Sequence, residues 1–113
     1  MSYKVLKKST SLCVGTCNIS DGTHTLGTGS FGSNASIGLG YNNGSSWSPL
    51  KTLTNINLNT EYLLTSVYDN GTFTTSINGQ SDTISQSLNP TQISIGIASQ
   101  TNIVFKDLLI KAL

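Results

Sequence analysis

At 113 residues the chain has the length of one domain with a modest core, with no need for a linker or an obligatory staple of metal or disulfide. Ser, Thr, Asn and Gly supply 54 residues, Glu occurs once and Ala three times; helix formers are scarce, turn and strand formers abundant, and an all-β domain spanning residues 1–113 is expected. Charged residues are 10% of the chain, against about 25% in an ordinary soluble domain; all six basic residues are Lys, and a net charge of +1 offers no electrostatic footprint for nucleic acid.

The opening Met-Ser-Tyr-Lys-Val-Leu-Lys-Lys lacks the apolar core and cleavage site of a secretory signal, and no apolar run approaches membrane-spanning length. Synthesis in a cytoplasm, without export by the usual route and without a membrane partner, is the expectation. Tyr3 to Leu6 reads as a strand, and Lys4, Lys7 and Lys8 as the solvated lysines of a sheet edge, which discourage edge-to-edge pairing. Ser11 to Val14 also reads as a strand. Cys13 and Cys17 enclose Val-Gly-Thr, and residues four apart in an extended chain lie about 13 Å from one another. A bridge would need a tight bend at Gly15, so two reduced, partly buried thiols are expected. With His24 they supply three zinc ligands and no fourth, which does not make a metal site, and His24 in Thr-His-Thr reads as an exposed loop residue. Asp21-Gly22, Gly27-Thr-Gly29, Gly32 and Asn42-Asn43-Gly44 mark turns at the short spacing of sandwiches and barrels.

Ala35 to Tyr41 and Trp47 to Leu53 read as further strands. Between and around them, Tyr41, Asn42, Asn43 and Trp47 form the one segment that combines aromatic faces with carboxamides, the chemistry that holds a sugar ring. Trp47 has two readings: a core anchor, the commoner role for the lone Trp of a small domain, or a loop aromatic placed to stack on a glycan.

The hairpin signal lies at Tyr62 to Ile77, where two alternating runs flank Asp69-Asn70-Gly71-Thr72 and Asn78-Gly79 follows. Asn-Gly suits a type I′ turn because both central residues need positive φ. Leu63 and Val67 are assigned to the inward face, opposite Tyr62, Leu64 and Tyr68; Phe73, Thr75 and Ile77 share a face in the second run. Pro90 after Asn89 suits a turn, Ile93, Ile95 and Ile97 line one side of the next strand, and Ile103 to Ile110 is apolar on both sides, as a strand near the sandwich centre would be. The expected core is Val5, Leu12, Ile37, Leu39, Leu53, Leu63, Val67, Phe73, Ile77, Ile93, Ile95, Ile97, Phe105, Leu108 and Ile110.

The order of the strand at Glu61, the turn, the strand ending in Asn78-Gly79, Ile93-Ser-Ile-Gly-Ile97 and Phe105-Lys-Asp-Leu-Leu-Ile110 resembles the C-terminal half of the concanavalin-like and laminin-G-like β-sandwiches. The resemblance covers about half the chain and implies an antiparallel jelly-roll sandwich. Glycoside hydrolases on such sandwiches use closely spaced acids. Here Glu61 is the only Glu, and Asp21, Asp69, Asp82 and Asp107 are scattered singly, so neither an enzyme nor a cofactor is expected. Laminin-G-like calcium sites draw on rim-loop Asp, for which Asp21 and Asp82 are the candidates, but the pattern does not match position by position and no metal is expected. The reading is a structural virion protein of a phage, a capsid decoration, head-fibre or tail component, that assembles with itself, a trimer being one form, and with other virion proteins. The alternative is a carbohydrate-binding, lectin-like adhesin module acting through Trp47.

Overall fold

A computed structural model of the chain describes residues 2–7, 17–29, 36–55, 57, 60–77, 79–95 and 103–109. Ten strands run through them: β1 (Ser2–Lys7), β2 (Cys17–Ser20), β3 (Thr25–Gly29), β4 (Ser36–Asn42), β5 (Trp47–Asn55), β6 (Glu61–Asp69), β7 (Thr72–Ile77), β8 (Gln80–Ser85), β9 (Gln92–Ile95) and β10 (Ile103–Leu109). They form two antiparallel sheets, ordered β10-β1-β6-β7-β8 and β5-β4-β3-β2-β9. The all-β, sandwich-like class expected from composition is therefore what the chain adopts.

The β6–β7 hairpin forms where the sequence places it. Asn70 and Gly71 have φ of 48° and 82°, the two positive values of a type I′ turn, and Asp69 pairs with Thr72. Gly71→Val puts a β-branched residue where L side chains are strained, and is expected to lower stability by about 1–2 kcal/mol. An unchanged urea midpoint would contradict that.

Cross-strand partners share a face, so the hairpin fixes which side of β6 looks inward. Tyr68 pairs with Phe73, Ser66 with Thr75 and Leu64 with Ile77. Phe73, Thr75 and Ile77 are buried, and so are Tyr62, Leu64 and Ser66. The inward face assigned to Leu63 and Val67 is thus corrected: Leu63 is 53% exposed and Val67 only partly buried. Both faces of β6 are apolar, so alternation alone could not choose between them.

Other expectations change as well. Gly27-Thr-Gly29 is not a turn but the end of β3, with Thr28 facing in and both glycines facing out. Strand β1 is not an edge, because β10 and β6 flank it, and β10 is not central but ends its sheet among the described residues. Ile93, expected in the core, is half exposed on β9, which likewise ends its sheet. Ile37 and Leu39 are buried as expected and Leu53 is partly buried. Of Val5, Ile95, Phe105 and Leu108 only the backbone is described, and Ser11 to Val14, including Leu12, lies outside the described residues with Lys8, Gly32, Ile97 and Ile110.

The core joins the sheets through Ile19, Leu26, Leu39, Phe73 and Ile84, with Tyr41, Tyr68 and Leu88 packed against it. The Tyr68 hydroxyl accepts the Leu88 N–H at 2.7 Å and donates toward the carbonyls of Leu88 and Gln86 at 3.0 and 3.2 Å, which holds the β8–β9 connection against the core. Three buried hydroxyls also bridge the sheets: Thr28 Oγ1 lies 2.6 Å from Thr75 Oγ1 and 3.1 Å from Ser66 Oγ. Ser66 and Thr75 are 3.3 Å apart, so each buried polar group meets another. On one margin β5 approaches β8, where Lys51 Nζ donates to the Thr83 carbonyl at 2.6 Å and lies 3.5 Å from Asp82.

Cys17 pairs in register with Thr28 and is buried; Cys13 lies outside the described residues. Burial raises its thiol from 9.0 to about 11, opposed by a hydrogen bond with Ser66. Because the folded value exceeds the unfolded one, this contribution to stability is complete below pH 9.0 and is lost as pH climbs toward about 11. In a Cys13→Ser variant, alkylation at pH 8 should be far slower for folded than for denatured protein. Equal rates would contradict the burial of Cys17.

Candidate functional site

The β4–β5 hairpin carries the residues expected to hold a ligand. Its turn is built by carboxamides, as Asn-rich loops are. Asn42 Oδ1 accepts the Gly44 N–H at 2.7 Å, and Asn43 Oδ1 accepts those of Ser45 and Ser46 at 3.0 and 3.1 Å. A backbone bond from Asn43 N to the Ser46 carbonyl, 3.2 Å, closes the loop. These acceptors brace the turn, so a ligand would meet Asn42 and Asn43 through their NH2 groups.

Trp47 opens β5 and stands opposite Asn42 in the β4–β5 register. It belongs neither to the core between the sheets nor to a free loop. Its indole lies on the outer face of β3 and β4, over the paired residues Gly27 and Gly40. A methyl group added to Gly40 would sit 3.1 Å from Trp47 Cε3 and 2.7 Å from Leu50 Cδ2. One added to Gly27 would sit 3.3 Å from Trp47 Cη2 and collide with the Asn18 carboxamide. The floor is flat because side chains are missing where the ring rests, and Trp47 remains half-buried beside the half-exposed Leu50.

Tyr41 faces the other way. It pairs with the buried Leu26, packs against the core, and stacks on His24 with centroids 6.2 Å apart and planes 4° apart. The structure therefore brings Asn42, Asn43 and Trp47 into one hairpin but sends Tyr41 to the opposite face.

His24 lies in the β2–β3 loop with its side chain 41% exposed, as expected, but it is held there by Asp21. Asp21 accepts hydrogen bonds from the backbone N–H groups of His24, at 2.7 Å, and Thr23, at 2.9 Å, and from His24 Nδ1 at 3.0 Å. These bonds, the His24 backbone N–H first, hold the Asp21 carboxyl down to about 2. Of the two candidate calcium ligands, Asp21 is thus engaged with His24 on the β2–β3 loop and Asp82 with Lys51 on β8. Among the described residues no three of His, Cys, Asp and Glu gather where an ion could sit, and no helix is long and apolar enough to cross a membrane.

The neighbours of Trp47 that sequence reasoning missed are Asn18, Gly27, Gly40 and Leu50. Their signal was present: Gly27-x-Gly29 and Gly38-x-Gly40 repeat with the period of a strand, which places each pair on one face of its strand. The site that results is flat, apolar at its centre and rimmed by carboxamides. No protein-family model, curated protein or solved structure matches this chain.

Proposed function

We propose that the chain is a non-enzymatic structural protein that acts by assembling with copies of itself and with other proteins, as a capsid-decoration, head-fibre or tail component of a phage virion does. The observation that supports this is the exposure of large aliphatic side chains on regular strands. Leu50, Leu63 and Ile93 are 49%, 53% and 50% exposed and are spread over both sheets. Strands hold them in place before contact, so docking costs little ordering entropy, and a chain with 10% charged residues has few charges to desolvate. The Ser/Thr/Asn/Gly-rich composition and the resemblance to concanavalin-like and laminin-G-like sandwiches support the same reading. Light scattering of the purified chain over a concentration range tests it. A stable oligomer is expected, and a mass fixed at 11.9 kDa throughout would count against assembly with itself.

One observation favours a second reading, a carbohydrate-binding adhesin module. Trp47 on its glycine floor presents a braced aromatic surface with carboxamides nearby and no charge among its neighbours Gly27, Gly40, Asn18 and Leu50. That chemistry suits a neutral sugar ring. Glycan-array binding that is lost in Trp47→Ala, with the circular dichroism of the fold retained, is the expected result; no binding by the parent chain would remove this reading.

A further inference from the structure

Four strands end the two sheets among the described residues, and three of them carry devices against pairing with another chain. Strands β5 and β8 close on each other: the Lys51 ammonium takes a backbone carbonyl of β8 at Thr83, and β5 contains Pro49, which has no N–H to offer. Strand β10 includes Lys106 and Asp107. Strand β9, Gln-Ile-Ser-Ile, has neither charge nor proline and pairs among the described residues with β2 alone.

Burial changes abruptly across that last pair. Ile93 stands directly opposite Ile19 and shares its face, yet Ile19 is 8% exposed and Ile93 50%. At this pair the apolar cover therefore thins from β2 to β9. Among the described residues nothing pairs with the outer edge of β9, and its amide and carbonyl groups together with the half-exposed Ile93 are what an added strand would satisfy.

We propose that β9 pairs antiparallel with β9 of a second copy of this chain, about a two-fold axis beside Ser94, joining two five-stranded sheets into one of ten. The occupant is a second copy because the strand is complementary to itself. An axis at residue 94 sets residue 93 opposite residue 95 of the other copy, both isoleucine, and serine opposite serine. This inference rests on the assembly reading above and names its contact.

Residues directly opposite in an antiparallel pair have Cα atoms about 4.5–5.5 Å apart, within disulfide range, so the axis can be tested by crosslinking. In a Cys13→Ser background, Ser94→Cys should give a disulfide-linked dimer on mild oxidation, while Ser81→Cys on β8 should not. Ile93→Lys should reduce the wild-type mass to that of a monomer with the β-sheet circular dichroism intact. A wild-type chain that stays monomeric overturns both the contact and assembly with itself. Association that survives Ile93→Lys, a pure trimer, which has no two-fold axis, or an associating Ser94→Cys chain that fails to crosslink overturns the β9 contact alone and leaves the assembly reading standing.

Discussion

Phe73→Ala is expected to cost about 3–5 kcal/mol of folding stability, the largest loss from a single truncation among the described residues. Phe73 is 2% exposed, lies between Tyr68 and Ile84 in the sheet, and packs into the cluster of Ile19, Leu26, Leu39 and Ile84. Strands from both sheets surround it, so the structure cannot collapse into the gap without moving one sheet against the other. A domain of this size has about 5–15 kcal/mol in total, so the variant should be near the limit of folding at physiological temperature. Urea unfolding at unchanged m-value measures the loss. Leu63→Ala is the matched control, because its side chain is 53% exposed and its removal should cost under about 1 kcal/mol. Equal losses for the two variants would overturn the inward face of the β6–β7 hairpin.

The second large effect is expected at a residue that looks harmless. Replacing a strand glycine by alanine is ordinarily favourable by about 0.5–1 kcal/mol. Gly38→Ala should instead destabilise by about 1–3 kcal/mol or more. A methyl group there collides with the Lys51 carbonyl and lies 2.9 Å from Lys51 C and 3.1 Å from Thr52 Cα. All three obstacles are backbone, so no rotamer change relieves them and β5 itself must shift. That shift would also pull Lys51 from Thr83 and Asp82, and would lift Trp47 from its floor. Thermal unfolding followed by Trp47 fluorescence reads both effects. A variant as stable as the parent, with the same emission maximum, would mean that β5 does not press on the outer face of β4.

Much of this architecture is legible in the sequence. Asn70-Gly71 locates the hairpin because two consecutive positive φ values leave few choices of residue, the strands at Ile37 and Trp47 follow from the Gly- and Asn-rich turns that bound them, and the strand at Ile103 follows from an apolar run. The inward face of β6 was legible too, through the hairpin rather than through β6 itself: a two-residue turn puts Tyr68 opposite Phe73, and the face of one fixes the face of the other. Periodicity taken strand by strand discards that constraint. Gly27-Thr-Gly29 was misread as a turn because glycine signals both positive φ and a missing side chain, and only a partner ring separates the two meanings. The split between Tyr41 and Trp47 follows from β4, whose alternation places Tyr41 with Leu39, while Trp47 is set by a register shift between Gly40 and Asn42 that no pattern in the sequence announces.

Strand β1 lies between β6 and β10, with Val5 opposite Tyr62 on one side and Phe105 on the other. Its two neighbours are therefore made at different times. At about 5–20 residues per second of synthesis, β1 waits several seconds for β6 and several more for β10. Until β10 is made, the flank of β1 that it covers in the finished sheet is without that partner, so the sheet containing β6, β7 and β8 is completed only by the last strand described.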